Sequence, residues 1–199
     1  REDLRSNLVR RGGAEAVLLT SPHQVWTGHT LAEMAAQWEL EPIEAALRIL
    51  RVPDETGTRA GAASIASFVI DEDDIATVMT RDWVVTSSDG NLGHPRQFAT
   101  FPRLITRYVR ERQVLDLATA IHRSTGRTAR MYGLRDRGFL RAGLAADVVI
   151  IDPDAYAPRA DYTHPREPAA GVELVLVEGH KAWISGQPTG ALAGRVLHR

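Results

Sequence analysis

The residues best suited to chemistry crowd into one short stretch, SSDGNLGHPRQFATFPR, from Ser87 to Arg103. Asp89 follows the apolar run WVVTSS and precedes Gly90, so the pattern puts a carboxylate just past the end of a strand. In α/β barrels and open α/β sheets, ligands bind at that end of the strands. A carboxylate there can bind a metal or act as a general base, while Gly90 lets the backbone turn closely around a ligand. Asp-Gly is equally a common turn pair after a strand, and the pattern leaves both readings open. Arg96 and Arg103 are candidates to hold a substrate carboxylate, because a guanidinium fork matches two oxygens. The competing fate for each arginine is an ion pair with an Asp or Glu. His94 is a candidate ligand or acid/base group, set against an ordinary loop histidine.

Other chemistries find little support. His23 and His29 have no zinc-like spacing, and the chain contains no His-x-His. His122 falls inside a helical pattern, and His164, His180 and His198 lie far along the chain. Trp26, Trp38, Trp83 and Trp183 are most simply core or packing residues. There is no phosphate-binding glycine loop of the Walker or dinucleotide kind, and no Gly-x-Ser-x-Gly elbow.

The elements that must position these residues follow from the periodicity. AEAVLLT (Ala14 to Thr20) and ASIASFVI are apolar runs of strand length, and WVVTSS is a third. Thr30 with Glu33 three residues on is the pattern of a capping box. Pro42 opens a second helix, IEAALRILR, and EDDIATVMT forms a third behind Asp71. TGTRAG and SPHQVWTGH read as loops. RLITRYVRE and VLDLATAIHRST are amphipathic, with Gly126 a candidate cap after the latter. Strands alternating with helices imply a parallel sheet with helices outside it. From Arg135 the texture changes to short strands between Gly and Pro turns, including GVELVLVEGHKAWISG with Glu178-Gly179 as a hairpin turn, and GRVLHR. The reading divides the chain into an α/β unit, 1–134, and a β unit, 135–199.

Composition narrows the partners. The 199 residues are 44% hydrophobic and 25% charged, with formal net charge -1. That balance argues against a partner bound mainly by charge, such as nucleic acid or an anionic membrane. Cysteine is absent, so this chain offers no disulfide and no thiolate metal ligand. No apolar run reaches membrane-spanning length, and a cytoplasmic location is the default. The chain opens at Arg1 without an initiator Met, which suggests a cut, a processed chain or a fragment.

Taken together, SSDG, HPR and ATFPRLITRYVRE resemble the N-acyl-D-amino-acid deacylases of the amidohydrolase superfamily. GHTLAEMAAQWELEPIEAALRIL, RDRGFLRAGLAADVVIIDPDA and the stretch from THPREPAAG to the C-terminus extend the resemblance over nearly the whole chain. The resemblance implies the C-terminal part of a (β/α)8 barrel, followed by strands of a small β-sandwich. It also implies zinc-dependent hydrolysis of an N-acyl-D-amino acid to a carboxylate and a free D-amino acid. Asp89 would match the aspartate that contacts metal or its bound water and shuttles the proton. Arg96 would match the arginine that grips the α-carboxylate, with Gly90 and His94 beside the substrate.

Ser87 and Ala99 replace glycines of that pattern, and the loop from Gly90 to His94 is short, which implies an altered acyl or side-chain preference. The family's other metal ligands have no counterpart here. The resemblance therefore implies a companion chain carrying the earlier barrel strands, and no catalytic zinc or activity in this chain alone. Two further readings stand beside it: a noncatalytic structural or regulatory subunit of the same fold, and an amidohydrolase acting on another N-acyl or cyclic amide.

Overall fold

The computed structural model describes residues 1–21, 24–52, 64–90 and 94–197. Two compact units emerge: Arg1–Asp71 with Gly90–Pro95 and Asp161–Pro165, and Glu72–Asp89 with Arg96–Ala160 and Arg166–Arg199.

In the first unit, helix α1 (Glu2–Arg10) precedes strand β1 (Val17–Leu19). Helix α2 (Leu31–Gln37) starts where the sequence predicts. The Glu33 N–H donates to Thr30 Oγ1 at 3.1 Å, and the Thr30 N–H donates to the Glu33 carboxylate at 2.8 Å. Pro42 opens helix α3 (Pro42–Leu50), where its missing N–H costs no helical bond. The apolar faces of α2 and α3 bury Leu31, Met34, Ala45 and Ile49 against Val17, Leu19 and Trp26. Trp26 meets Trp38 edge-on, and Arg48 lies over the Trp38 ring.

Strand β2 (Ile65–Ser67) pairs with β1 antiparallel, Val17 opposite Ser67 and Leu19 opposite Ile65, where alternation predicted a parallel sheet. A single crossover helix returns the chain parallel, whereas two helices joined by a short connection add a reversal. Here α2 and α3 both lie between the strands. The TGTRAG loop lies outside the described residues.

In the second unit, helix α4 (Glu72–Met79) begins with Glu72, Asp73 and Asp74, acids that suit the positive end of a helix dipole. WVVTSS joins no ladder, so the predicted third strand is absent among the described residues. Trp83 there is 71% exposed rather than part of a core. Helix α5 (Arg96–Arg103) begins seven residues before RLITRYVRE, the stretch whose periodicity predicted a helix. Pro95 sits just before it. Pro102 inside it has no N–H to give and crowds the preceding turn. The helix continues by widening into π geometry over Leu104–Glu111, and the Arg112 N–H reaches back five residues to the Arg107 carbonyl at 2.9 Å.

Leu104, Ile105 and Tyr108 form a core with Leu115 and Ala120 of the following segment. Helix α6 (Leu117–Ser124) is capped by Asp116 and runs into helix α7 (Gly126–Met131). Gly126 therefore starts a helix rather than capping one. It is glycine for space, since a Cβ there would lie 2.5 Å from the Phe139 ring.

Four strands complete this unit as one antiparallel sheet in chain order: β3 (Val148–Ile151), β4 (Val172–Val177), β5 (His180–Ile184) and β6 (Gln187–Pro188). Glu178 and Gly179 join β4 to β5 with φ of 50° and 80°, the left-handed pair that a tight hairpin requires. Ser185 and Gly186 make a second such turn that the sequence reading missed, and residues 194–197 of the predicted strand GRVLHR are not strand. Arg137 binds Asp136, Asp147 and Glu178, tying the approach to β3 to the β4–β5 turn. Those three carboxylates stabilise the guanidinium and push its pKa further up.

Candidate functional site

Asp89 and Arg96 are brought together. Asp89 Oδ2 lies 3.0 Å from Arg96 Nη2, with the Asp89 side chain 84% exposed and that of Arg96 34%. Two local features set the acid. Its backbone φ is 44°, a left-handed conformation that Asp and Asn tolerate better than other side chains. Its N–H donates to Ser87 Oγ at 3.4 Å, a turn contact that a glycine at position 87 could not make. The arginine is set by α5, whose first turn carries it. Thr100 Oγ1 donates to the Arg96 carbonyl at 2.6 Å, and Ala99 packs the buried side of that turn.

The pair combines readings the sequence kept apart. A carboxylate with most of its surface in water is available to exchange protons. A guanidinium fork matches the two oxygens of a carboxylate, and one nitrogen of Arg96 is taken by Asp89. An exposed pair of this kind is weak, on the order of 0.5 kcal/mol, so an incoming carboxylate can displace Asp89 at small cost.

Arg103, the other candidate grip, is instead held by Glu72 at 3.5 Å. Glu72 also takes Arg112 at 3.0 Å and Arg107 at 3.8 Å, so this arginine serves a structural ion network. His94 belongs to the first unit, where its ring meets Tyr162 edge-on at 5.1 Å and Tyr162 in turn meets Phe68 at 5.7 Å. Gly90 also belongs to that unit, and the loop residues 91–93 lie outside the described residues.

The other histidines have local explanations. His29 lies 3.6 Å from Glu33, His164 lies 3.5 Å from Asp161, and His122 tilts against Phe139. His180 opens β5, while His23 and His198 lie outside the described residues.

As a metal set, these donors are insufficient. Among the described residues no three His, Cys, Asp or Glu side chains converge as metal ligands. Asp89 is one oxygen donor, and that carboxylate faces a cation already. The described residues do not by themselves fit zinc. Nor, among the described residues, is any helix long and apolar enough to cross a membrane.

The sequence reading used RDRGFLRAGLAADVVIIDPDA only for the family resemblance and assigned no site residue between Arg130 and Leu144, yet the second unit forms an arginine-rich groove there. Its signal was a run of arginines among glycines and leucines, which matches no motif.

A mixed α/β chain with an acid before a helix and an arginine on its first turn is what the amidohydrolase resemblance implied. The chain belongs to the amidohydrolase family, whose model matches residues 9–181. More particularly, it is 34% identical to the N-acyl-D-glutamate deacylase of Alcaligenes xylosoxydans xylosoxydans, over 90% of this chain and 35% of that protein. It is also 34% identical to the D-aminoacylase of the same organism, over 98% of this chain and 39% of that one.

Among solved structures, a D-aminoacylase crystal structure superposes with a TM-score of 0.78 at 33% identity, covering 92% of this chain and 38% of that one. The N-acyl-D-glutamate deacylase from Bordetella bronchiseptica, complexed with zinc and a phosphonate inhibitor, gives a TM-score of 0.73 at 31% identity, over 94% and 39%. The chain thus spans less than two fifths of the length of these relatives. The comparisons bear out the resemblance read from SSDG, HPR and ATFPR.

Proposed function

We propose that this chain supplies the acid/base and carboxylate-binding residues of an amide hydrolase acting on N-acyl-D-amino acids. The observation that carries the reading is the 3.0 Å pairing of Asp89 with Arg96, in a chain about one third identical to deacylases of that class. Water adds to the acyl carbon, the C–N bond breaks, and the products are a carboxylate and a free D-amino acid. Asp89 takes the proton from the attacking water and returns it to the leaving nitrogen. Arg96 binds the substrate's α-carboxylate and thereby fixes the amide relative to Asp89. Gly90 and His94 contact the substrate.

In this reading, residues 1–134 are the C-terminal part of a (β/α)8 barrel and 135–199 are strands of a β-sandwich. Zinc is part of the proposal as well. Asp89 offers it one oxygen, and the other donors lie outside the described residues, on the same polypeptide or on a companion chain.

Kinetics of the complete zinc-loaded polypeptide or assembly on an N-acetyl-D-amino acid test these roles. Asp89→Asn should lower kcat by at least about 100-fold, the usual contribution of a positioned acid/base group. Arg96→Ala should raise KM by about tenfold or more, with the effect concentrated on substrates that bear the carboxylate. Near-normal turnover in the first variant removes the acid/base role and leaves a noncatalytic chain of this fold as the better account. An unchanged KM in the second removes the carboxylate grip and favours a different amide.

A further inference from the structure

The groove that follows α7 has a volume of about 430 Å³, within the range of small-molecule sites. Arg130, Arg135, Arg137 and Arg141 line it together with Phe139 and Leu134, and the lining contains no acidic residue. Over the whole chain, by contrast, 24 basic side chains are matched by 25 acidic ones. Elsewhere in the second unit, Arg96, Arg103, Arg107, Arg112 and Arg195 meet carboxylates, whereas Arg110, Arg123 and Arg127 donate to backbone carbonyls.

The four arginines are held differently. Arg137 is fixed by Asp136, Asp147 and Glu178, with its side chain 12% exposed. Arg130 lies over the Phe139 ring, its guanidinium carbon 4.7 Å from the centroid, which sets the plane of the fork. Arg135 and Arg141 are exposed and form no ion pair among the described residues. Arg137 is neutralised by its carboxylates, which leaves Arg130, Arg135 and Arg141 as three like charges around one concavity, and these repel each other unless an anion sits among them.

We infer that this groove is a binding site for a small organic phosphate, a phosphomonoester with an apolar body. Several guanidinium groups around one groove exceed what one carboxylate can use, whereas a phosphate dianion presents three strong acceptor oxygens. Phe139 and Leu134 supply the apolar surface against which the rest of the ligand rests. The inference uses none of the residues assigned to amide hydrolysis and stands independently of that assignment.

The test is calorimetric titration of the intact protein with phenyl phosphate at low ionic strength, with inorganic phosphate and phenol as parallel probes. Saturable binding of phenyl phosphate is expected, with inorganic phosphate weaker and phenol undetectable. The double variant R135A/R141A should bind phenyl phosphate about tenfold or more weakly, because two charge-assisted contacts are removed from exposed positions that leave the fold unchanged. Its melting temperature and its amide-hydrolysing activity should match the parent. No saturable binding to the parent overturns the inference. So does a double variant that binds as well as the parent, or equal affinity for inorganic and phenyl phosphate, since the site would then read charge alone.

Discussion

Replacing Asp89 by asparagine should strengthen the hold of Arg96 on a free carboxylate even as it abolishes hydrolysis. Asp89 lies 3.0 Å from the fork that, in the function proposed above, a substrate carboxylate would use. Two unit charges at that distance attract by about 1.4 kcal/mol at the dielectric of bulk water, the appropriate limit for an acid this exposed. Ordering the two side chains offsets part of that attraction, leaving about 0.5 to 1 kcal/mol. Removing the competitor should therefore tighten carboxylate binding by roughly two- to fivefold. Asparagine is the suitable replacement because it tolerates the left-handed backbone of residue 89 and keeps the side-chain volume.

The ligand should carry the D-amino-acid carboxylate without a cleavable amide, for example an N-methylsulfonyl-D-amino acid. Titration of parent and D89N at matched zinc content gives the two affinities. The gain should shrink as salt is raised, because screening weakens an exposed pair first. It should also vanish in an Arg96→Ala background. If D89N binds no more tightly while R96A still weakens binding, the displacement argument is wrong although the grip is right. If R96A changes nothing, the grip itself is wrong.

Gly171 has φ of 70°, and a Cβ there would lie 2.5 to 2.7 Å from backbone atoms of Ala155 and Tyr156. Gly171→Ala should cost on the order of 3 kcal/mol, read as a lower melting temperature, and a parental value would refute the packing described. Arg123 is 2% exposed and donates to the carbonyls of Met79 and Arg81, so Arg123→Met strands both acceptors. A loss of about 2 kcal/mol is expected in chemical denaturation, and no loss would mean that water already serves those carbonyls.

Asp116 is held below the usual carboxylate range chiefly by the Thr119 hydroxyl, Asp136 by Arg137, and Asp161 by the Thr163 hydroxyl. A carboxylate lowered on folding stabilises fully above its unfolded pKa and loses that contribution as pH falls through its folded value. Melting temperature should therefore decline from about pH 5 downward. Asp116→Asn should flatten the decline, and an identical pH profile in that variant would exclude the Asp116 cap as a contributor.

What the sequence made legible was what a few neighbouring residues decide. The Thr30 cap closes on Glu33, Pro42 fits the first turn of α3, and Glu178-Gly179 supplies its own turn conformation; none needs a distant partner. The failures share the opposite property. WVVTSS and GRVLHR have strand composition, but a strand is defined by the hydrogen bonds of another segment, and no described segment offers them. The direction of β2 depends on how many helices intervene, and the helical character of Arg96–Arg103 depends on whether a widened turn can absorb Pro102.

The candidate site lies between these cases. Asp89 and Arg96 were legible one at a time, each with a chemical role and an ordinary alternative. The ordinary alternative for Arg96 was an ion pair with an acid, and the acid it found is Asp89. The alternatives are therefore not exclusive: the same weak pair that satisfies both side chains without substrate is the one a substrate carboxylate would break. Only a placement of residue 89 against residue 96 could show this, because the distance between two side chains seven positions apart is not written in either residue's type.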